Sequence, residues 1–161
     1  MTGTAKRLQR EIQQSRPFRS DGHEAVIALL RTADLVRRHF SPVLEPRGIT
    51  GQQYNVLRIL RGAGPDGLPT LAIADRMVEQ TPGITRLLDR MEAKGLVSRQ
   101  RCREDRRQML CYATAAGLAL LRELDAPIDA AEESVVAGLS DRQRAQLLRA
   151  LEQVRTDVTP G

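Results

Sequence analysis

The sequence has few aromatic side chains and few cysteines. It contains no tryptophan, two tyrosines and two phenylalanines among 161 residues, so a packed core must come from leucine, isoleucine, valine and alanine, which suit helices better than sheets. Cys102 and Cys111 are too few for a disulfide framework. No apolar run reaches the length of a membrane span, and the basic N-terminus lacks a signal-peptide core. These absences predict a cytoplasmic protein with no membrane partner, and a length of 161 residues suits one functional unit.

Positive charge is concentrated in the middle of the chain. Residues 86–107 hold eight basic side chains against four acidic ones, whereas residues 122–157 hold five arginines against eight acids. Arginine far outnumbers lysine, and its planar guanidinium suits phosphates and guanine edges. This distribution indicates contact with a polyanion at one place on the surface.

Apolar periodicity predicts a mainly helical protein. Residues 1–20 are expected to form a flexible basic arm, or a short helix that orders only against a partner. A helix is predicted from Asp21, and Pro42 should end or kink it. Capping boxes at Thr50 with Gln53, and at Ser140 with Gln143, predict the starts of two more helices. Another helix is expected over Ala115 to about Ala137, bent at Pro127.

Two short helices are predicted between these segments. The first covers Thr70 to Met77 and should bury Leu71, Ala74 and Met77. The second opens with Thr81 as N-cap and Pro82 at the first helical position, and stops at Lys94 and Gly95. Two short helices joined by a tight turn are typical of a helix-turn-helix.

A β-hairpin should follow the second short helix. Leu96–Cys102 and Gln108–Thr114 have the pattern of two strands around a charged turn. A hairpin next to a helix-turn-helix forms a wing. The predicted fold class is therefore mainly α with a small β-hairpin wing, a winged helix-turn-helix.

The predicted DNA contacts lie on the second short helix and on the wing. A helical wheel places Ile84, Leu87, Leu88 and Met91 on one face, which leaves the other face free to enter a major groove. The wing tip could reach a minor groove, with Asp105 orienting Arg107. Solvated pairs such as Arg90 with Asp89, and an ordinary charged hairpin, are the alternatives. The candidate contacts to double-stranded DNA are Thr81, Pro82, Thr85, Arg86, Arg90, Asp105, Arg106 and Arg107.

Three segments together resemble the MarR (multiple-antibiotic-resistance regulator) family. They are TPGITRLLDRMEAKGLVSRQRCREDRRQMLCYAT, ITGQQYNVLRIL and LSDRQRAQLLRALEQV, and the resemblance extends over about residues 24–154. It implies one unit over 21–161: dimerisation helices at 21–48 and 115–161, and a winged DNA-binding lobe at 49–114. It further implies a homodimer on a pseudo-palindromic operator, and a repressor relieved by a small aromatic or phenolic ligand held near His39 and Tyr54.

Other functions remain open from the sequence. Cys102 and Cys111 lie on the two predicted wing strands, where an oxidised pair across the hairpin would make a redox-responsive regulator. A winged-helix module for protein association without DNA binding is a further alternative, against which Arg86, Arg90 and Arg107 argue. No combination of nucleophile, base and orienting group suggests an enzyme, and no ligand spacing suggests a metal or a cofactor.

Overall fold

The computed structural model describes residues 3–102, 105 and 107–159. The chain divides into two compact units, Met1–Pro42 and Val43–Gly161. Within the described residues, no helix combines the length and the apolar character that a membrane crossing needs.

The first unit is built from helices. Helix α1 spans Gly3–Glu11, so the segment expected as an arm contains a short helix. Helix α2 spans Asp21–Leu44, and the Ser20 hydroxyl oxygen accepts from the His23 amide at 3.1 Å next to its start. Pro42 lies inside the last turn, and α2 continues for two residues beyond it before a short 3-10 turn begins.

Five α-helices lie wholly within the second unit among its described residues. These are α3 (Gly51–Ala63), α4 (Thr70–Arg76), α5 (Ile84–Ala93), α6 (Ala115–Val136) and α7 (Asp141–Val158). Both predicted capping boxes are confirmed, at Thr50 with Gln53 and at Ser140 with Gln143. Pro127 lies within the single continuous helix α6.

Three short strands form an antiparallel sheet in the order β1-β3-β2. Strands β2 (Val97–Arg101) and β3 (Met109–Ala113) are the predicted hairpin, while β1 (Leu68–Pro69) pairs with β3. The mainly helical fold with a wing is confirmed. The sequence did not reveal β1, because a two-residue strand that includes proline carries no alternating pattern.

The core of the second unit joins the helices to the sheet. The prediction that α4 buries Leu71 is wrong. Leu71 is 75% exposed, and Ile73 is fully buried instead. These two side chains lie on opposite sides of α4, because two residues turn a helix by about 200°. The most buried large side chains are Val56, Leu57, Leu60, Ile73, Leu87, Leu88, Met91, Val97, Cys111, Leu121 and Leu124.

A close backbone approach fixes the start of α6. The Thr114 hydroxyl donates to the Gly95 carbonyl oxygen at 2.6 Å and accepts from the Gly117 amide at 3.1 Å. A Cβ on Gly117 would overlap the Leu96 carbonyl oxygen. Only glycine therefore lets α6 pack against the segment that leads from α5 into the wing.

Candidate nucleic-acid interface

Helix α5 has one buried and one exposed face, as its sequence pattern predicts. Leu87, Leu88 and Met91 are at most 2% exposed. Arg86 and Arg90 are exposed on the other side, four residues apart, together with Thr85. The helix is thus anchored by its apolar stripe while two arginines are free to meet a ligand.

The start of α5 differs from the prediction. Its N-cap is Gly83, with a φ of 86° in the left-handed region, and the helix begins at Ile84. The prediction of Thr81 as N-cap and Pro82 as first helical residue is wrong, because Pro82 and Gly83 form a turn that only glycine completes without strain. The Thr81 hydroxyl instead donates to the Glu79 carbonyl oxygen at 3.1 Å. Both residues remain beside the N-terminus of α5.

The turn between α4 and α5 is held from α3. The side-chain oxygen of Asn55 accepts a hydrogen bond from the Val78 amide at 2.9 Å. Val78 is the second residue after the end of α4 and is 86% exposed. This bond ties the turn between the two helices of the motif to α3, and no sequence pattern indicated it.

Arg99 binds two carboxylates of α5 from strand β2. Its guanidinium donates to Asp89 at 2.6 Å and to Glu92 at 2.6 and 3.0 Å, and its backbone amide donates to Glu92 at 3.1 Å. These hydrogen bonds lower the pKa of Glu92 below its usual range. The Arg99 side chain is therefore bound to carboxylates of the protein itself. Asp89 pairs with Arg99 rather than with Arg90.

The wing tip is described only in part. Asp105 accepts a hydrogen bond from the backbone amide of Arg107 at 3.0 Å, so it orders the backbone of the turn. The side chains of Asp105 and Arg107 are exposed. Arg106 lies outside the described residues, so its proposed contact stays a prediction.

The two cysteines do not face each other across the wing. Cys111 pairs with Arg99 in the strand register, and the Cys102 amide bonds to the Gln108 carbonyl. Because strands rise about 3.3 Å per residue, the three-residue offset places the cysteine Cα atoms roughly 10 Å apart, beyond disulfide reach. Burial raises the pKa of Cys111 to about 11. The expectation of a pair poised for oxidation is thus wrong for this arrangement.

The two candidate ligand-pocket residues lie in different units. His39 is exposed on α2, and its ring meets Phe40 edge to face with centroids 6.0 Å apart. Tyr54 is half-buried on α3, and the Arg58 guanidinium carbon lies 5.9 Å from its ring centroid. Burial raises the pKa of Tyr54, and the charge of Arg58 opposes that rise.

Ion pairs connect the α3 segment to α6. Arg58 lies 3.9 Å from Glu132, and Arg61 reaches both oxygens of Asp125 at 2.9 Å. Tyr54 and Arg58 thus form a cation and aromatic pair beside the helix packing of α3 and α6. The sequence indicated Tyr54 but gave no sign of its partner.

These elements together define a winged helix-turn-helix protein: α4 and α5 form the motif, and β2 and β3 form the wing. The MarR family model matches residues 47–108, which include the whole motif and strand β2 of the wing and end just before β3. Together with the relatives described next, this match shows that the chain belongs to the MarR family of transcription regulators.

Relatives are similar over most of the chain. The homoprotocatechuate degradative operon repressor of Escherichia coli is 30% identical over 127 residues, 79% of this chain and 84% of that protein. The crystal structure of a MarR transcription factor from Planctomyces limnophilus is 38% identical, with a TM-score of 0.65, over 84% of this chain and 98% of that one. The crystal structure of the MepR–DNA complex of S. aureus is 25% identical, with a TM-score of 0.75, over 81% of this chain and 96% of that one.

Proposed function

We propose that this protein is a homodimeric repressor that binds a pseudo-palindromic operator in double-stranded DNA and is released by a small aromatic acid. DNA binding is supported by the exposed pair Arg86 and Arg90, which lies on a helix whose opposite face is buried. A relative of this fold has been crystallised with DNA.

In this proposal α5 enters the major groove. Arg86 lies within the first turn of α5 and contacts base edges, while Arg90 contacts the backbone one turn later. The amides at the start of α5 and the neighbouring Thr81, Pro82 and Thr85 lie against a phosphate. Arg107, with Arg106, contacts the adjacent minor groove from the wing.

Salt dependence of binding to duplex DNA tests this assignment. Fluorescence anisotropy with a labelled duplex at several salt concentrations should show affinity falling steeply with salt, because bound arginines displace counterions. Arg86→Ala, Arg90→Ala and Arg107→Ala should each weaken binding, while Arg122→Ala on α6 serves as a charge control. Affinity that is flat with salt and unchanged in all three variants would contradict DNA binding through this face.

The dimer in the proposal forms through the terminal helices. On α7 the side chains of Leu147, Leu151, Val154 and Val158 follow helical spacing on one stripe, and Val158 is 73% exposed. Helix α2 likewise exposes Val26, Leu30 and Leu35. Apolar stripes of this extent on two long helices need a cover, and a second copy of the chain supplies identical ones.

The ligand site in the proposal includes Tyr54 and Arg58. A half-buried ring next to a guanidinium suits a flat anion, because the ring can stack and the cation can pair with a carboxylate. The E. coli relative is named for a degradative operon of homoprotocatechuate, a dihydroxylated aromatic acid. His39 stays a candidate ligand-binding residue.

Ligand binding would act through α3. An anion that draws Arg58 from Glu132 changes a contact between α3 and α6, and α3 also carries Asn55, which holds the turn before α5. Calorimetric titration with homoprotocatechuate, with benzoate as a second probe, tests the site. Arg58→Gln should weaken binding at least tenfold, and Arg149→Gln on α7 is its control; equal affinities would remove Arg58 from the site.

A further inference from the structure

Strand β2 and helix α5 are joined by a side-chain contact that the proposed DNA interface does not use. Arg99 lies on β2, the edge strand of the sheet next to the wing turn. Its side chain is only 20% exposed, and its guanidinium reaches Asp89 and Glu92 on successive turns of α5. One planar guanidinium, a fork of N–H donors, therefore bridges two turns of the helix that carries Arg86 and Arg90.

The contact restrains the angle between the hairpin and α5, and it also neutralises carboxylate charge on α5. Glu92 accepts from the backbone amide of Arg99 at 3.1 Å in addition to its guanidinium. The carboxylate thus binds the main chain of β2, and β2 leads directly into the wing turn. Any rotation of the hairpin relative to α5 must break these charge-assisted hydrogen bonds. Arg99 also neutralises carboxylates that would otherwise stand near DNA phosphates.

We propose that Arg99 is a positioning residue, which sets the angle between the wing and α5 by holding Asp89 and Glu92 and does not itself contact DNA. This inference rests on the proposed DNA-binding function. Sequence discrimination requires α5 and the wing to meet consecutive grooves at once, so a loosened angle lowers discrimination more than it lowers overall affinity for DNA.

Two changes of opposite charge test the proposal. Arg99→Gln removes the fork and lowers the net charge by one, whereas Asp89→Asn with Glu92→Gln weakens the same contact and raises the net charge by two. The full chain is titrated with a duplex selected by the wild type from a random-sequence library, and with a scrambled duplex of equal length. The ratio of the two affinities measures discrimination.

Both variants should lower that ratio about tenfold, although their charges change in opposite directions. The double variant should at the same time bind scrambled DNA as well as the wild type or better. The triple variant should lose no more than the larger single effect, because both changes break one contact. Arg99→Lys should restore little of the ratio, since one ammonium cannot reproduce the fork.

Controls separate this role from folding and from direct contact. Arg122→Gln changes charge equally on α6 and should keep the ratio, and thermal unfolding shows that each variant is folded at the assay temperature. If the double variant fails to fold, Glu92→Gln alone gives the comparison. A wild-type ratio in the folded Asp89 and Glu92 variant, with a lowered ratio in Arg99→Gln, would show direct DNA contact and overturn the proposal. A wild type that binds neither an enriched nor a scrambled duplex would instead overturn DNA binding itself.

Discussion

The Val78 amide donates a hydrogen bond to the side-chain oxygen of Asn55 at 2.9 Å, which links α3 to the turn between the two helices of the DNA-binding motif. Tyr54 and Arg58, the proposed ligand residues, flank Asn55 on the same helix. One helix thus contacts both the proposed ligand site and the turn before α5. The motif is therefore tied by a hydrogen bond to a helix that lies outside it.

Asn55→Ala should loosen that turn with a small cost in stability. Val78 is 86% exposed, so water can replace the lost acceptor, and we expect the free energy of unfolding to fall by about 0.5–1.5 kcal/mol. Affinity for a selected duplex should fall more than affinity for scrambled DNA. Denaturant titration and anisotropy measure the two effects, with Gln52→Ala on the same helix as control. Undiminished discrimination would show that the turn does not need this bond.

Arg86 and Arg107 should contribute differently to binding. Arg86→Ala should reduce operator discrimination by about 1–3 kcal/mol, because a guanidinium that reads base edges is lost. Arg107→Ala should weaken binding to all duplexes with less effect on sequence choice. Titrations with operator and random DNA measure both quantities, and equal losses on both duplexes for both variants would refute this division.

Gly117→Ala should destabilise the second unit. The added methyl would overlap the Leu96 carbonyl oxygen and lie 3.0 Å from a methyl carbon of Leu57, so the backbone must shift. We expect a loss of about 1–3 kcal/mol in the free energy of unfolding. Gly62→Ala on α3 meets no atom within 4 Å and should instead stabilise by about 0.5–1 kcal/mol. The same sign for both substitutions in denaturant titrations would contradict the packing at Gly117.

Leu147→Glu should convert the proposed dimer to a monomer. Its side chain stands on the apolar stripe of α7, and a carboxylate buried there against a second copy would lack a partner. The dimer dissociation constant should rise roughly a hundredfold or more, as measured by sedimentation equilibrium. Arg149→Gln, on the opposite side of α7, changes charge by the same amount and should leave the dimer intact. Dimers of unchanged strength in both variants would exclude this stripe from the interface.

Cys111 should make stability fall in alkaline solution. Burial raises its pKa to about 11 from the ordinary value of 9.0, with Arg99 opposing the shift and Glu92 adding to it. Between these two values the unfolded chain releases a proton that the folded chain keeps, so the free energy of unfolding decreases as pH rises. Urea titrations at about pH 8 and about pH 10.5 measure the decrease. Cys111→Ala should show a smaller one; identical decreases would remove the thiol as a cause.

Much of the fold follows from local signals in the sequence. Capping boxes predicted the starts of α3 and α7, Gly95 predicted the end of α5, and the charged turn between two strand-like segments predicted the hairpin. The apolar stripe of α5 also identified which side of that helix is buried. These features are local, because each depends on residues within one or two turns of one another.

The features that the sequence did not predict, or predicted wrongly, arise from contacts between distant residues or from turn geometry. The sequence analysis treated Arg99 only as one of the basic side chains of the middle segment. Its carboxylate partners lie seven and ten residues away, so no local pattern predicted the contact. Thr81 and Pro82 resemble a helix start, but the left-handed Gly83 moves that start to Ile84. The cysteines were expected to face each other, and the register that separates them is fixed by the pairing of Arg99 with Cys111.

Selection of bound fragments from a random-sequence duplex library tests the central claim most directly. A two-fold dimer with one α5 in each half-site predicts enrichment of an inverted repeat whose half-sites are centred about one helical turn apart, roughly 34 Å. Binding of the enriched duplex should weaken steeply with salt and involve two chains per duplex. Enrichment of no sequence, or of a single unrepeated site bound by one chain, would contradict the account.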